Sequence, residues 1–336
     1  MKNNGSLLFV GVVCLMSFIV TDTYQIPKGW PEPIYPINKN EPTLNKVYLG
    51  RMLFYDPILS INHSISCASC HSQFNAFTHA DHALSHGIYD SIGTRNSPAL
   101  MNLAWQPYFM WDGAINHLDM QALAPISHPK EMGENLAHVL QKLSTSKRYK
   151  NLFYMAWKDS IPNSETVLKS LSAFMITLVS DQSRYDSMQL GLVTFTEQEE
   201  RGYALFKKHC NNCHTEPLFT NHQFESNGIK LNGYLNDLGR YAITHHPKDS
   251  FKFKIPTLRN IEYSFPYMHD GRFESLNEVI QFYASSSSLV DKTKGQTLLL
   301  NAKEKVDLHV FLLTLTDKQF LFNRSYGYPM ELNTKE

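Results

Sequence analysis

The chain has 336 residues, and its 31 lysines and arginines match its 31 aspartates and glutamates, so the formal net charge is zero. That length suits one large domain or two modest ones, and the balanced charge argues against nucleic acid or a charged surface as partner. Hydrophobic residues make up 43% and aromatics 12%, enough to build buried cores, and no low-complexity tract appears.

Lys2 precedes an apolar run over residues 7–20, which stops at Thr21-Asp22-Thr23. The run has the length of a signal-peptide core and is short for a spanning helix, so residues 1–24 are expected to be a signal peptide or an N-terminal anchor. No small-x-small cleavage site follows, which keeps the uncleaved anchor open. Cys14 lies in the run behind Gly11-Val12-Val13, a poor lipobox, and reads as a small hydrophobe. Either form implies export.

Further along come Gly50-x-x-Leu53-Phe54, then Cys67-Ala-Ser-Cys70-His71, then a polar loop carrying His79, His82 and His86. An Arg95-Asn96 pair and the aromatic turn Pro107-Tyr108-Phe109-Met110-Trp111-Asp112-Gly113 follow, with helical sequence from about Leu118. Residues 135–143 read as an amphipathic helix and residues 164–179 as a longer one with an apolar face. The polar stretch 181–194 is the expected domain junction. Thr196-Glu197-Gln198-Glu199 is a capping box opening a helix that runs into Cys210-Asn-Asn-Cys213-His214. Arg259-Asn260, then Pro266-Tyr267-Met268-His269-Asp270-Gly271, and a second capping box, Ser275-Leu276-Asn277-Glu278, complete the series; the last opens a helix through Tyr283.

C-x-x-C-H has a mechanical meaning. Two cysteines three apart clamp a porphyrin edge by thioether bonds, and the next residue brings an imidazole to the iron. A thioredoxin-like pair needs a strand-helix context that neither motif has. Four-cysteine zinc sites place their pairs some 15–20 residues apart, and here most of the chain separates them. His71 and His214 are therefore each expected to ligate a haem iron, with Cys67, Cys70, Cys210 and Cys213 attaching two haem c groups.

The two motifs sit in two copies of one plan. Gly50-x-x-Leu53-Phe54 matches Gly202-x-x-Leu205-Phe206, Arg95-Asn96 matches Arg259-Asn260, and the two aromatic turns align with Trp111 opposite His269. The expected fold is mainly α: two cytochrome c-like domains, residues 25–190 and 191–336, each with one covalently bound haem c and related by internal duplication.

The ordered series from about residue 49 to 283 resembles the bacterial dihaem cytochrome c peroxidases and their MauG relatives. The markers are Gly50-Arg51-x-Leu53-Phe54-Tyr55-Asp56-Pro57, Ser64-Ile65-Ser66-Cys67, Arg95-Asn96-Ser97-Pro98, Trp111-Asp112-Gly113, Gln121, Glu131-Met132, Pro256-Thr257-Leu258-Arg259-Asn260 and Pro266-Tyr267-Met268-His269-Asp270-Gly271. The resemblance implies peroxide chemistry at the first haem, electron entry through the second, a periplasmic location and a homodimer. It implies Glu131 as the acid assisting peroxide cleavage, with Gln121 beside it, because splitting an O–O bond needs a proton on the leaving oxygen. It implies Trp111 as an electron relay between the haems. It also implies a calcium ion between the domains, held by Asn96 and the carbonyls of Ser264 and Pro266, since oxygen donors suit a hard cation.

At two positions the subfamilies differ. His86, followed by Gly87, matches the labile distal histidine of the peroxidases, which MauG-like proteins lack; His79 and His82 compete for that role, and all three also read as solvated. Tyr283 stands fourteen residues after His269, where peroxidases carry a methionine ligand and MauG a tyrosine. It shares a helical face with Leu276, Val279 and Ile280, so a core aromatic is the plain alternative. The expected function is reduction of hydrogen peroxide with electrons from a small redox protein, a cytochrome c or copper protein. The runner-up is a MauG-like enzyme that uses peroxide to oxidise residues of a partner protein. A dihaem electron carrier with both irons closed is the third.

Overall fold

The computed structural model describes residues 24–285 and 298–334. The leader expected over residues 1–24 lies outside these, apart from Tyr24. Among the described residues seven helices have ten residues or more: α1 (Leu44–Tyr55), α2 (Leu136–Thr145), α3 (Lys147–Trp157), α4 (Ser164–Ile176), α5 (Glu197–His209), α6 (Leu276–Ser285) and α7 (Ala302–Leu313). Among the described residues, strand pairing is confined to Phe224–Glu225 against Phe253–Lys254, antiparallel, and a few isolated bridges, and no helix is long and apolar enough to cross a membrane.

Local chemistry sets the helix starts. Thr43 caps α1 by accepting from the Lys46 N–H, and Asn135 caps α2 by accepting from His138. At α5 the capping box read from the sequence is present in both directions: Thr196 Oγ1 accepts from the Glu199 N–H, and the Glu199 carboxylate accepts from the Thr196 N–H. Glu278 closes the same device at α6, taking the N–H groups of Glu274 and Ser275.

α1 and α5 each precede a C-x-x-C-H motif, and each crosses a later helix at its glycine. A Cβ on Gly50 would run into the Ser170 carbonyl of α4; on Gly202 it would run into the Asp307 carbonyl of α7. Glycine is what lets these backbones touch. Around the crossings lie two apolar cores. One gathers Leu49, Leu53, Phe54, Leu171 and Phe174; the other gathers Phe206, Phe219, Ile280, Phe311 and Leu315.

The sequence reading misses two features. The stretch 181–194 is not a plain linker, for Ser183 caps a short helix, Arg184–Gln189, that buries Tyr185 and Asp186. Asp186 is polar yet buried because Arg259, itself fully buried, meets it with two hydrogen bonds of 2.8 and 2.9 Å. The chain beyond Asp317 also returns to the first core, where Phe320 and Leu321 are buried. Arg51 Nε donates to the Gly327 carbonyl and Tyr55 donates to that of Tyr326.

Candidate active site and two haem-binding motifs

Cys67–Cys70 is a single helical turn, so both sulfurs and His71 leave one short piece of backbone. His71 Nδ1 lies 2.8 Å from the Phe77 carbonyl, which the left-handed Ala76 and Phe77 fold back toward it. That bond places the ring proton on Nδ1 and leaves Nε2 as the lone-pair donor, the usual device for orienting a metal-bound imidazole. Burial pushes His71 down to about 4, so the ring is neutral. The second motif repeats the arrangement: His214 Nδ1 lies 3.1 Å from the Pro256 carbonyl and 3.3 Å from that of Phe219, and burial again lowers it to about 4. Among the described residues, none of the four motif cysteines is in a disulfide.

Beside the first motif is a cavity of about 810 Å³ whose walls include Cys67, Cys70, His71, Trp111, Gln121 and Glu131. Its size is within the ordinary range for cofactor pockets, ~300–1,000 Å³. Two thiols, a neutral imidazole with a free Nε2 and a mostly apolar wall fit a covalently held haem. Sequence reasoning missed the far wall, which comes from the second half of the chain at Leu235, Tyr241, Ala242 and His245. No motif marks those residues. What holds them there is Arg95, which grips Asp237 with two bonds of 2.6 and 2.8 Å while a third, of 2.6 Å, reaches Asp112.

Glu131 sits in a turn pinned at both ends of its peptide. Its N–H donates to the His128 carbonyl and its own carbonyl accepts from Ile88. Burial raises its carboxyl above the usual range, and His128, with Nδ1 at 3.8 Å, pulls partly in the other direction. Gln121 ends the short helix Leu118–Gln121, its Nε2 3.9 Å from the Met110 sulfur. The His86 ring is directed elsewhere: Nδ1 pairs with Asp90 at 2.9 Å and the ring stacks on His82 with centroids 4.2 Å apart. Its carbonyl, rather than its ring, meets the first motif, accepting from the Cys70 thiol at 3.4 Å.

Trp111 lines that cavity and a second one of about 90 Å³, which also includes Asn96, Ser264, Pro266, Met268 and Lys254. The indole N–H donates to the Asn96 carbonyl at 2.8 Å, and the Trp111 carbonyl accepts from the Lys254 N–H at 2.7 Å. The three residues expected around a cation thus share one small space with the tryptophan. Lys254 is a neighbour the sequence reading did not consider. Its ammonium donates to Gln106 Oε1 at 2.7 Å, and burial lowers it to about 8.

At the second motif, Tyr283 is partly buried against the second core and its phenol is raised, first by desolvation and further by the nearby Cys210 and Cys213; a hydrogen bond from Asn227 opposes this. Asn227 Nδ2 lies 3.4 Å from the Tyr283 oxygen and 3.3 Å from the Met268 sulfur. One amide thus reaches both a thioether and the phenol. The repeat register, with Trp111 opposite His269, sets Met268 opposite Met110. Both have left-handed backbones, φ 74° and 66°.

Two C-x-x-C-H motifs on a helical scaffold, one facing a cavity with a raised carboxyl, fit a dihaem oxidoreductase. Residues 44–193 match the family model described as di-haem cytochrome c peroxidase. The methylamine utilization protein MauG of Methylorubrum extorquens is 34% identical over 308 residues, covering 87% of this chain and 83% of that protein. The cytochrome c551 peroxidase of Nitrosomonas europaea is 31% identical over 306 residues, covering 86% and 85%. Among solved structures, a MauG-like protein associated with microbial copper homeostasis superposes with a TM-score of 0.81 at 30% identity, covering 91% of this chain and 99% of that one. The chain belongs to the di-haem cytochrome c peroxidase family.

Proposed function

We propose that the protein reduces hydrogen peroxide to water, using electrons from a small redox protein. The observation that carries this reading is the Glu131 carboxyl, its pKa raised by burial, on the wall of the cavity that presents His71. Cys67, Cys70 and His71 would hold a haem there, which would supply the redox chemistry of peroxide reduction. Glu131 holds a proton at a pH where an ordinary carboxylate has lost it, and releases it to the leaving oxygen. Gln121, on the same wall, orients peroxide by hydrogen bonding. Trp111, facing both cavities, carries electrons between the two halves of the chain.

Several finer readings accompany this one. The matched glycine crossings, the matched left-handed methionines and the two clamps support two cytochrome c-like domains made by duplication. Asn96, Ser264 and Pro266 supply oxygen donors for calcium, with Lys254 a neighbouring cation. Tyr283 would help hold the second haem's iron, a role Met268 contests. His86 reaches the first haem only by giving up Asp90 and His82. The kinship with MauG and a tyrosine, Tyr283, beside the second motif favour a second reading, in which peroxide's oxidising power passes to residues of a partner protein. The test is spectroscopic. Equimolar peroxide added to fully loaded protein is expected to change the ferric spectrum of one haem and leave the covalent attachment of both intact. Two spectra indifferent to excess peroxide would refute peroxide reduction.

A further inference from the structure

Behind the second motif lies a group that haem attachment does not use. Tyr185 and Tyr203 both donate their hydroxyls to one oxygen, Glu216 Oε1, at 2.6 and 2.7 Å. The two rings meet edge to face with centroids 6.1 Å apart. Tyr185 is buried and packs at 4.8 Å on Phe219, whose carbonyl is a partner of His214 Nδ1. Tyr203 lies further out and is half-buried, with Gln189 Nε2 at 3.3 Å from its oxygen and the Lys207 ammonium 4.5 Å from its ring centroid. An unbroken aromatic file thus runs from the proximal side of the second haem motif to the surface, with one carboxylate bonded to both phenols.

We propose that Tyr185, Glu216 and Tyr203 form a proton-coupled relay that carries oxidising equivalents outward from the second haem. The inference rests on the peroxidase reading, because hydrogen peroxide is the oxidant. In the first step one electron leaves the Tyr185 phenol for the second haem, itself oxidised by peroxide, the phenol O–H bond breaks, and the proton moves to Glu216. Tyr203 then gives an electron to the Tyr185 radical and its own proton to Glu216, which hands the first proton back to Tyr185. A phenoxyl radical and a neutral carboxyl result. In the second step a one-electron reductant at the surface gives an electron to the radical at Tyr203, and the proton returns from Glu216 to the oxygen. Both phenols and the carboxylate end as they began, and the reductant has lost one electron. Phenol oxidation without a proton acceptor creates a high-energy cation. A carboxylate within hydrogen-bond distance of both oxygens removes that obstacle. A purely structural pair would satisfy Glu216 just as well and would carry no radical.

Freeze-quench electron paramagnetic resonance of fully loaded protein mixed with peroxide, with no donor present, separates the two. A phenoxyl signal is expected in the parent protein. It is expected to be lost in the Tyr185→Phe/Tyr203→Phe double variant and in Glu216→Gln, which keeps an oxygen acceptor but holds no proton. Haem content and melting temperature, measured alongside, show that each variant is folded. Tryptic mass spectrometry after peroxide treatment should locate oxidised tyrosine at Tyr203 in the parent alone. A phenoxyl signal that survives the double variant, or peroxide consumed by the parent with no radical and no modified tyrosine, overturns the relay while leaving peroxide reduction standing. Peroxide left unconsumed overturns both.

Discussion

Replacing Glu131 by glutamine preserves the shape of the side chain and removes its proton. The backbone around it is set by the His128 and Ile88 hydrogen bonds, neither of which involves the carboxyl, so the fold and haem loading should be unchanged. Positioned general acids contribute about 10²–10⁴ in rate. The Glu131 side chain keeps 33% of its exposure, so water partly replaces the lost donor and the loss should fall at the low end. A drop of about 10² in kcat/KM for peroxide, or ~2.7 kcal/mol in the barrier, is expected. The pH dependence has a definite sign. The protonated form is the active one, so the rate falls as pH rises through the Glu131 pKa, which burial has lifted above the carboxylate norm of about 4.3. Glu131→Gln should abolish that limb. His128→Ala should move it to higher pH, because His128 lowers the Glu131 pKa. Initial rates with reduced donor across a pH series, on protein of verified haem content, measure both effects. A variant within threefold of the parent, roughly 0.6 kcal/mol, with the same pH profile, would remove Glu131 from the mechanism.

Other consequences are as concrete. Tyr283→Phe should alter the ferric spectrum and potential of the second haem without loss of covalent haem, since Cys210, Cys213 and His214 hold it independently; an unchanged spectrum would leave Tyr283 a core aromatic. Arg95→Met strands two carboxylates, so denaturant titration should show a loss of about 3–5 kcal/mol. Burial pushes Asp237 up, yet the Arg95 guanidinium outweighs it and holds the carboxyl below its usual range. That stability is present above the unfolded pKa of about 3.9 and fades as pH falls through the folded one, so acid melting curves of the variant should be flatter. Gly50→Ala and Gly202→Ala each press a methyl group into a helix backbone and should cost about 1–3 kcal/mol in urea unfolding; no loss at either would contradict the close crossings.

What was legible in the sequence was chemistry decided within a few residues. The cysteine-histidine clamps, the capping box of α5 and the glycines of α1 and α5 carry their reasons with them. Asn96, Ser264 and Pro266 were expected around a calcium ion and Trp111 between the haems; all four line one small cavity. What escaped was set by contacts between distant segments. Residues 235–245 line the first cavity because Arg95 holds Asp237, a pairing 142 residues long in sequence. The burial of Asp186, inside the polar stretch expected to be the domain junction, depends on Arg259 from another segment. The return of Phe320 and Leu321 to the first core follows no periodicity. Met268 was visible in the repeat register, but its nearness to Tyr283 depends on Asn227, which belongs to no motif.

Peroxide reduction by a protein donor is tested most directly by its stoichiometry. Reduced cytochrome c or copper-protein donor should be oxidised saturably by the fully loaded protein, with two donor electrons consumed per peroxide and water as the product. Peroxide decay without donor oxidation, or donor oxidation that never saturates, would contradict the account.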